Sequence, residues 1–110
     1  MSDELQGSIE REVLGWPGVS QEPGRFNSTA YLLGRREIGH VHGNRVVDLP
    51  FPRATYDELI ATGRAHPHQA GVRGFVSVWL DDPDSASRAI GLLRMNYDRA
   101  IAAADARRSQ

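Results

Sequence analysis

From Arg36 to Arg53 the chain reads Arg-Glu-Ile-Gly-His-Val-His-Gly-Asn-Arg-Val-Val-Asp-Leu-Pro-Phe-Pro-Arg, and no other stretch constrains the fold as strongly. Alternation through Ile38, His40 and His42, a Gly43-Asn44 pair, then Arg45, Val47 and Leu49 is the pattern of two antiparallel strands joined by a two-residue turn. With the turn at Gly43-Asn44, His42 faces Arg45, His40 faces Val47 and Ile38 faces Leu49, so these side chains share one face of the ribbon. Glu37, Val41, Val46 and Asp48 then fall on the opposite face. Pro50 and Pro52 remove two ladder donors and fix φ, so the run from Leu49 to Arg53 is a stiff exit from the sheet.

The flanking sequence supplies the other elements. Leu5, Ile9 and Val13 recur at helical spacing after Ser2 and the acidic pair Asp3-Glu4, which predicts a helix from Ser2 to Leu14 with Ser2 as its cap. Gly15-Trp16-Pro17-Gly18 ends it. Val19 to Glu22 reads as an edge strand, Pro23-Gly24 as a turn, and Thr29 to Leu33 as a strand that Gly34-Arg35 turns into the hairpin. The aliphatic side of that strand, Ala30 and Leu32, is expected to meet the helices, with Tyr31 on the other side. Thr55-Tyr-Asp-Glu58 fits a capping box for a short helix that Gly63 closes near Thr62. His66-Pro67-His68 through Gly74 reads as a loop and Phe75 to Leu80 as a strand. Asp82 and Pro83 then start a long helix ending near Arg107, with Ala86, Ile90, Leu93, Tyr97, Ala100 and Ala104 as its buried stripe. This order predicts an α+β fold: an antiparallel sheet of four to five strands with helices mainly on one face.

With 110 residues, the chain is expected to form one domain over 1–110, frayed at both ends. There is no cysteine, so disulfides, thiolate metal sites and cysteine nucleophiles are excluded. Lysine is absent too, which excludes Schiff-base chemistry and a P-loop lysine and fits a GC-rich bacterial genome. A formal charge of -1 argues against a nucleic-acid partner held by phosphate neutralisation. No apolar run could cross a bilayer and the first residues lack a secretion signal, so a cytoplasmic location with no membrane partner is expected.

The candidate ligand-binding residues are His40, His42, Asp48, Arg53, His66 and His68. Two histidines spaced two apart on a strand project to one face, where a transition metal could use them. Two ligands do not make a site, however. A third would have to come from Asp48, which the register above places on the other face, or from the His66–His68 loop. The expectation is therefore hydrogen-bonded histidines, with no metal and no cofactor. If the His66–His68 loop folds over the hairpin, the imidazoles gather into one pocket. Asp48 is expected to pair with Arg53 or with backbone donors at the corner more readily than to act as a base. Trp16, Tyr31 and Trp79 could stack a flat ligand, although core packing is the commoner use of such residues. Arg35, Arg36 and Arg45 could line an anion-binding edge, or simply be solvated. Nucleophile-elbow, Walker, dinucleotide-binding and zinc-finger patterns are all missing.

The run Arg36-Glu-Ile-Gly-His-Val-His-Gly, Val47-Asp-Leu-Pro-Phe-Pro-Arg53, Gly63-Arg-Ala-His-Pro-His68, Phe75-Val-Ser-Val and Leu92-Leu-Arg-Met-Asn-Tyr97 resembles small bacterial proteins of the luciferase family, over about residues 10 to 101. Element order and the Asn96-Tyr97-Asp98 helix more distantly resemble YjbR/CyaY-like α+β domains, which implies a fold rather than an activity. The function expected is binding of a small molecule or protein partner at the histidine-bearing hairpin face. Two alternatives remain open. The resemblance implies a luciferase-like oxidoreductase or monooxygenase using histidine as acid or base; weak DNA binding is the other.

Overall fold

In the computed structural model, residues 4–109 are described and form a six-stranded antiparallel sheet with three helices. The order is α1 (Glu4–Leu14), β1 (Val19–Pro23), β2 (Thr29–Leu33), β3 (Arg36–His42), β4 (Val46–Pro50), α2 (Arg53–Ala61), β5 (His66–Pro67), β6 (Phe75–Trp79) and α3 (Pro83–Arg108). The strands lie in the order β1-β2-β3-β4-β6-β5, so the hairpin β3–β4 occupies the centre of the sheet. The cap expected at Ser2 lies outside the described residues. Inside them, the Asn44 side chain accepts from the Gln6 backbone N–H at 2.7 Å, so the β3–β4 turn satisfies one free donor in the first turn of α1.

The register of the central hairpin corrects the expectation. His42 pairs with Val46, Val41 with Val47 and His40 with Asp48, because the turn is three residues long, Gly43-Asn44-Arg45, rather than two. The Arg45 N–H donates to the His42 carbonyl at 3.0 Å, and Gly43 takes φ +58°, a conformation open to glycine. One residue of slip sends every β4 side chain to the other face. Val47 and Leu49 thereby join Val41 in the core, and Asp48 joins the histidines. The slip is enforced by burial, since these three aliphatic side chains have no exposure at all and each contributes about 1.5–3 kcal/mol when buried.

A β-bulge completes the pattern. Tyr31 pairs with Gly39 but Leu32 pairs with Glu37, leaving Ile38 as the extra residue, and Ile38 is fully buried in the core. Tyr31 also packs in the core, while Ala30 lines the open face, the reverse of the expected assignment. Burial, with the Glu10 charge as a lesser cause, pushes the Tyr31 phenol up to about 12. Gly39 lets the Leu93 side chain of α3 pack close against the sheet: a Cβ there would lie 2.6 Å from Leu93 Cδ2.

Three smaller expectations are corrected as well. The α2 helix begins at Arg53 behind Pro52, with no side-chain cap hydrogen bond, so Thr55 lies inside the first turn instead of capping it. His66-Pro67 is a short strand paired with Ser77-Val76, which extends the sheet to six strands. Arg35 and Arg36 sit at the β2–β3 turn and Arg45 at the β3–β4 turn, opposite ends of β3, so they form no common edge. The start of α3 is as expected: Asp82 accepts from the Ser85 N–H at 2.8 Å, followed by Pro83. Among the described residues, no helix is long and apolar enough to cross a membrane.

Candidate functional site

The sheet register places one row of residues across the face away from α3: Ala30, His40, Asp48 and Ser77 on β2, β3, β4 and β6. Asp48 is the centre of that row and has no solvent exposure. A buried carboxylate must be paired and hydrogen-bonded to remain ionised. Ser77 Oγ donates to its Oδ1 at 2.6 Å and Gln69 Nε2 to its Oδ2 at 3.1 Å. Three imidazoles approach the same Oδ2 through Nε2: His40 at 3.3 Å, His42 at 3.2 Å and His68 at 3.2 Å. Burial would raise the Asp48 carboxyl, but its contacts with His40, Ser77 and Gln69 outweigh burial and hold it well below the usual carboxylate range.

The three histidines differ in their second nitrogen. His40 Nδ1 lies 2.7 Å from Glu37 Oε2, a charge-assisted length. The contacts with Asp48 and Glu37 push His40 up to about 9 against the effect of burial. His42 is driven the other way by burial, and its Nδ1 is buried with no partner among the described residues. His68 Nδ1 accepts from the backbone N–H groups of Ala70 at 3.0 Å and Val72 at 3.3 Å. Its proton therefore sits on Nε2 and points at Asp48.

These groups form the floor of a cleft of about 470 Å³. Its walls are largely apolar: Ala30, Ala70, Val72 and Phe75, with Phe26 at the rim and Arg25 and Arg45 at the margin. Phe26 is 86 % exposed and holds φ +58°, next to Asn27 at φ +60°. The left-handed conformation costs a side-chain-bearing residue about 1–2 kcal/mol, and such strain gathers at ligand clamps and switch regions. The loop from β1 to β2 is held in this shape by the Gly24 N–H donating to the Ser28 carbonyl at 2.9 Å.

Of the residues singled out in the sequence, the structure brings together His40, His42, Asp48 and His68. His66 is exposed on the edge strand and Arg53 pairs with Asp57 at 3.4 Å, so the expected Asp48–Arg53 pair is not formed. Trp16 and Tyr31 are core residues, and Trp79 is partly exposed outside the cleft. Ser77, Gln69 and Glu37 went unrecognised in the sequence. Ser77 had a signal, a single hydroxyl inside the apolar strand Phe-Val-Ser-Val-Trp; Glu37 had none, because the bulge alone brings it beside His40.

As a metal site, His40, His42 and Asp48 stand out, since one ligand atom from each lies within 4.8 Å of the other two. Residues 35–96 match the family described as Luciferase domain, more than half of the chain. The chain belongs to the Luciferase domain family. The match is narrower than the resemblance drawn from sequence, yet the Luciferase-domain span contains every polar member of the cluster, from Glu37 to Ser77. The Phe26 rim precedes it. No curated protein and no solved structure matches the chain.

Proposed function

We propose that this Luciferase-domain protein binds a small organic molecule with an apolar body and an oxygen-bearing polar end. The body would lie between Phe26, Val72 and Phe75, and the polar end would meet the histidines above Asp48. The observation that carries this reading is the cluster's position: a buried carboxylate ringed by imidazoles at the floor of a cleft whose walls are apolar. Ligand sites commonly combine a mostly apolar lining with a few convergent polar groups. The exposed, strained Phe26 at the mouth supports the same reading.

Backbone amide NMR during titration with 2-naphthoate, and with naphthalene as a control lacking the polar end, tests it. Saturable shifts confined to the amides of Phe26, Ala70, Val72 and Phe75, larger for naphthoate, are expected. Phe26→Ser with Val72→Ser should weaken binding about a hundredfold or more, as loss of apolar contact worth about 1.5–3 kcal/mol per side chain requires. Shifts scattered over the surface, or none, would exclude the cleft as a ligand site.

Family membership favours a second reading, an oxidoreductase or monooxygenase that uses a histidine of the cluster as acid or base. Oxygen uptake with a flavin or luciferin, abolished in His40→Ala, is the result that would favour it over simple binding.

A further inference from the structure

We propose that His40, His42 and Asp48 hold a divalent first-row transition-metal ion, with Glu37 and His68 as outer supports and open coordination positions toward the cleft. The proposal deepens the reading of the cleft and rests on it only for what would occupy those open positions.

The spacing of the donor atoms is the first argument. His40 Nε2 and His42 Nε2 lie 3.3 and 3.2 Å from Asp48 Oδ2. Bonds of about 2.0–2.2 Å to nitrogen and oxygen put neighbouring ligand atoms roughly 2.9–3.5 Å apart, from octahedral to tetrahedral arrangement. A charge-assisted hydrogen bond would be shorter, about 2.7–2.9 Å. Bonds of that length do occur nearby, at 2.6 Å for Ser77 to Asp48 and 2.7 Å for Glu37 to His40. These two nitrogens therefore stand from Oδ2 at a separation that a shared metal ion would use; His68 Nε2 lies at 3.2 Å as well, so its fixed proton and not its distance sets it apart from them.

The second argument is the load on one oxygen. Asp48 Oδ2 has Gln69 and three imidazole nitrogens within 3.3 Å, whereas a carboxylate oxygen offers about two lone-pair sites. Hydrogen bonding alone cannot use all four approaches well. Gln69 and His68 account for two, because the His68 proton is fixed on Nε2 by the backbone donors at Nδ1. That proton also removes His68 Nε2 from the ligand set and makes it a group that orients Asp48. The remaining nitrogens, on His40 and His42, need a shared cation beside Oδ2.

The surroundings have the character of an outer coordination shell. Metal-bound histidines usually engage a carboxylate or carbonyl with the other ring nitrogen, and metal-bound carboxylates are themselves hydrogen-bonded. Glu37 meets His40 Nδ1, and Ser77 holds Asp48 Oδ1. Two imidazoles and one carboxylate with open positions form the set that suits non-haem Fe(II), and also Co(II) and Zn(II); all-oxygen sites suit Mg(II) or Ca(II) instead. The competing occupant is a single proton on His40 Nε2, and the two differ by experiment.

The purified, chelator-treated protein of 110 residues is titrated with Co(II), Zn(II) and, anaerobically, Fe(II), each alone. One ion per chain is expected after desalting, with visible d–d absorption for Co(II). His42→Gln and His40→Gln should abolish stoichiometric uptake with the circular dichroism spectrum unchanged. Glu37→Gln, at a half-exposed position that should not disturb folding, should weaken binding by about 10- to 100-fold. Substoichiometric uptake of all three ions by folded wild-type protein overturns the proposal in favour of the proton. So does undiminished uptake by the His40→Gln, His42→Gln double variant. Metal uptake by protein that fails to bind 2-naphthoate would leave this proposal standing and remove the organic-ligand reading, and the reverse result would do the opposite.

Discussion

Asp48 shows how much one residue depends on its partners. Its carboxylate has no contact with water, and its ionised form rests on Ser77, Gln69 and the imidazoles. Ser77→Ala removes the 2.6 Å bond to Oδ1 and also the acceptor of the Gln69 N–H. Hydrogen bonds to charged groups are worth about 1.5–3 kcal/mol, and a loss of that size is expected in urea unfolding with an unchanged slope. In metal-free protein Asp48→Asn should cost more, about 3–5 kcal/mol, because the histidines would then face an amide in place of their counter-charge. Wild-type stability in both variants would show that the carboxylate is not held as described. Sequence alone pointed to Asp48 but not to these partners, since Ser77 and Gln69 lie 29 and 21 positions away along the chain.

At the scale of elements, the site depends on how the hairpin lies on α3. Gly39 sits back to back with the cluster: its missing Cβ makes room for Leu93, and the Asp48 carbonyl is 3.3 Å from where that Cβ would be. Asn96 of α3 adds a polar tie, donating to the Ile38 carbonyl at 3.1 Å and the Pro50 carbonyl at 2.8 Å, so the bulge and the end of β4 are held by one amide. Gly39→Ala must displace the buried Leu93 side chain that packs over it. Overpacking of this kind costs about 1–3 kcal/mol, and a lower melting temperature is expected together with weaker Co(II) uptake. An unchanged melting temperature would mean that α3 yields freely and does not set the position of the hairpin. Strand and helix identities were legible from alternation and from the Asp82-Pro83 start of α3. The three-residue turn and the bulge were not, because Gly43-Asn44 fits a shorter turn equally well and only burial of Val47 and Leu49 chooses between them.

For the whole molecule the coupled charges set a pH optimum in the metal-free state. His40 is raised from 6.5 to about 9, so its contribution is complete below pH 6.5 and is lost as pH rises through 9. Asp48 is depressed below 3.8, so its contribution is present above about pH 4 and is lost on acidification. His42 is lowered, so folding opposes its protonation and stability falls as pH drops below 6.5. The melting temperature in chelator should therefore be highest near pH 6.5 and fall on both sides. A flat profile between pH 6.5 and 9.5 would contradict the His40–Asp48 ion pair. The α+β class, the helices, most strands and the residue types available for chemistry were legible along the chain, because periodicity, prolines and the lack of cysteine act locally. Which of those residues meet was decided by the tertiary structure. The one-residue register that brings Asp48 to the histidines, and the return of the chain that brings His68 over them, follow from burying one sheet face under α3, a condition no short window of sequence contains.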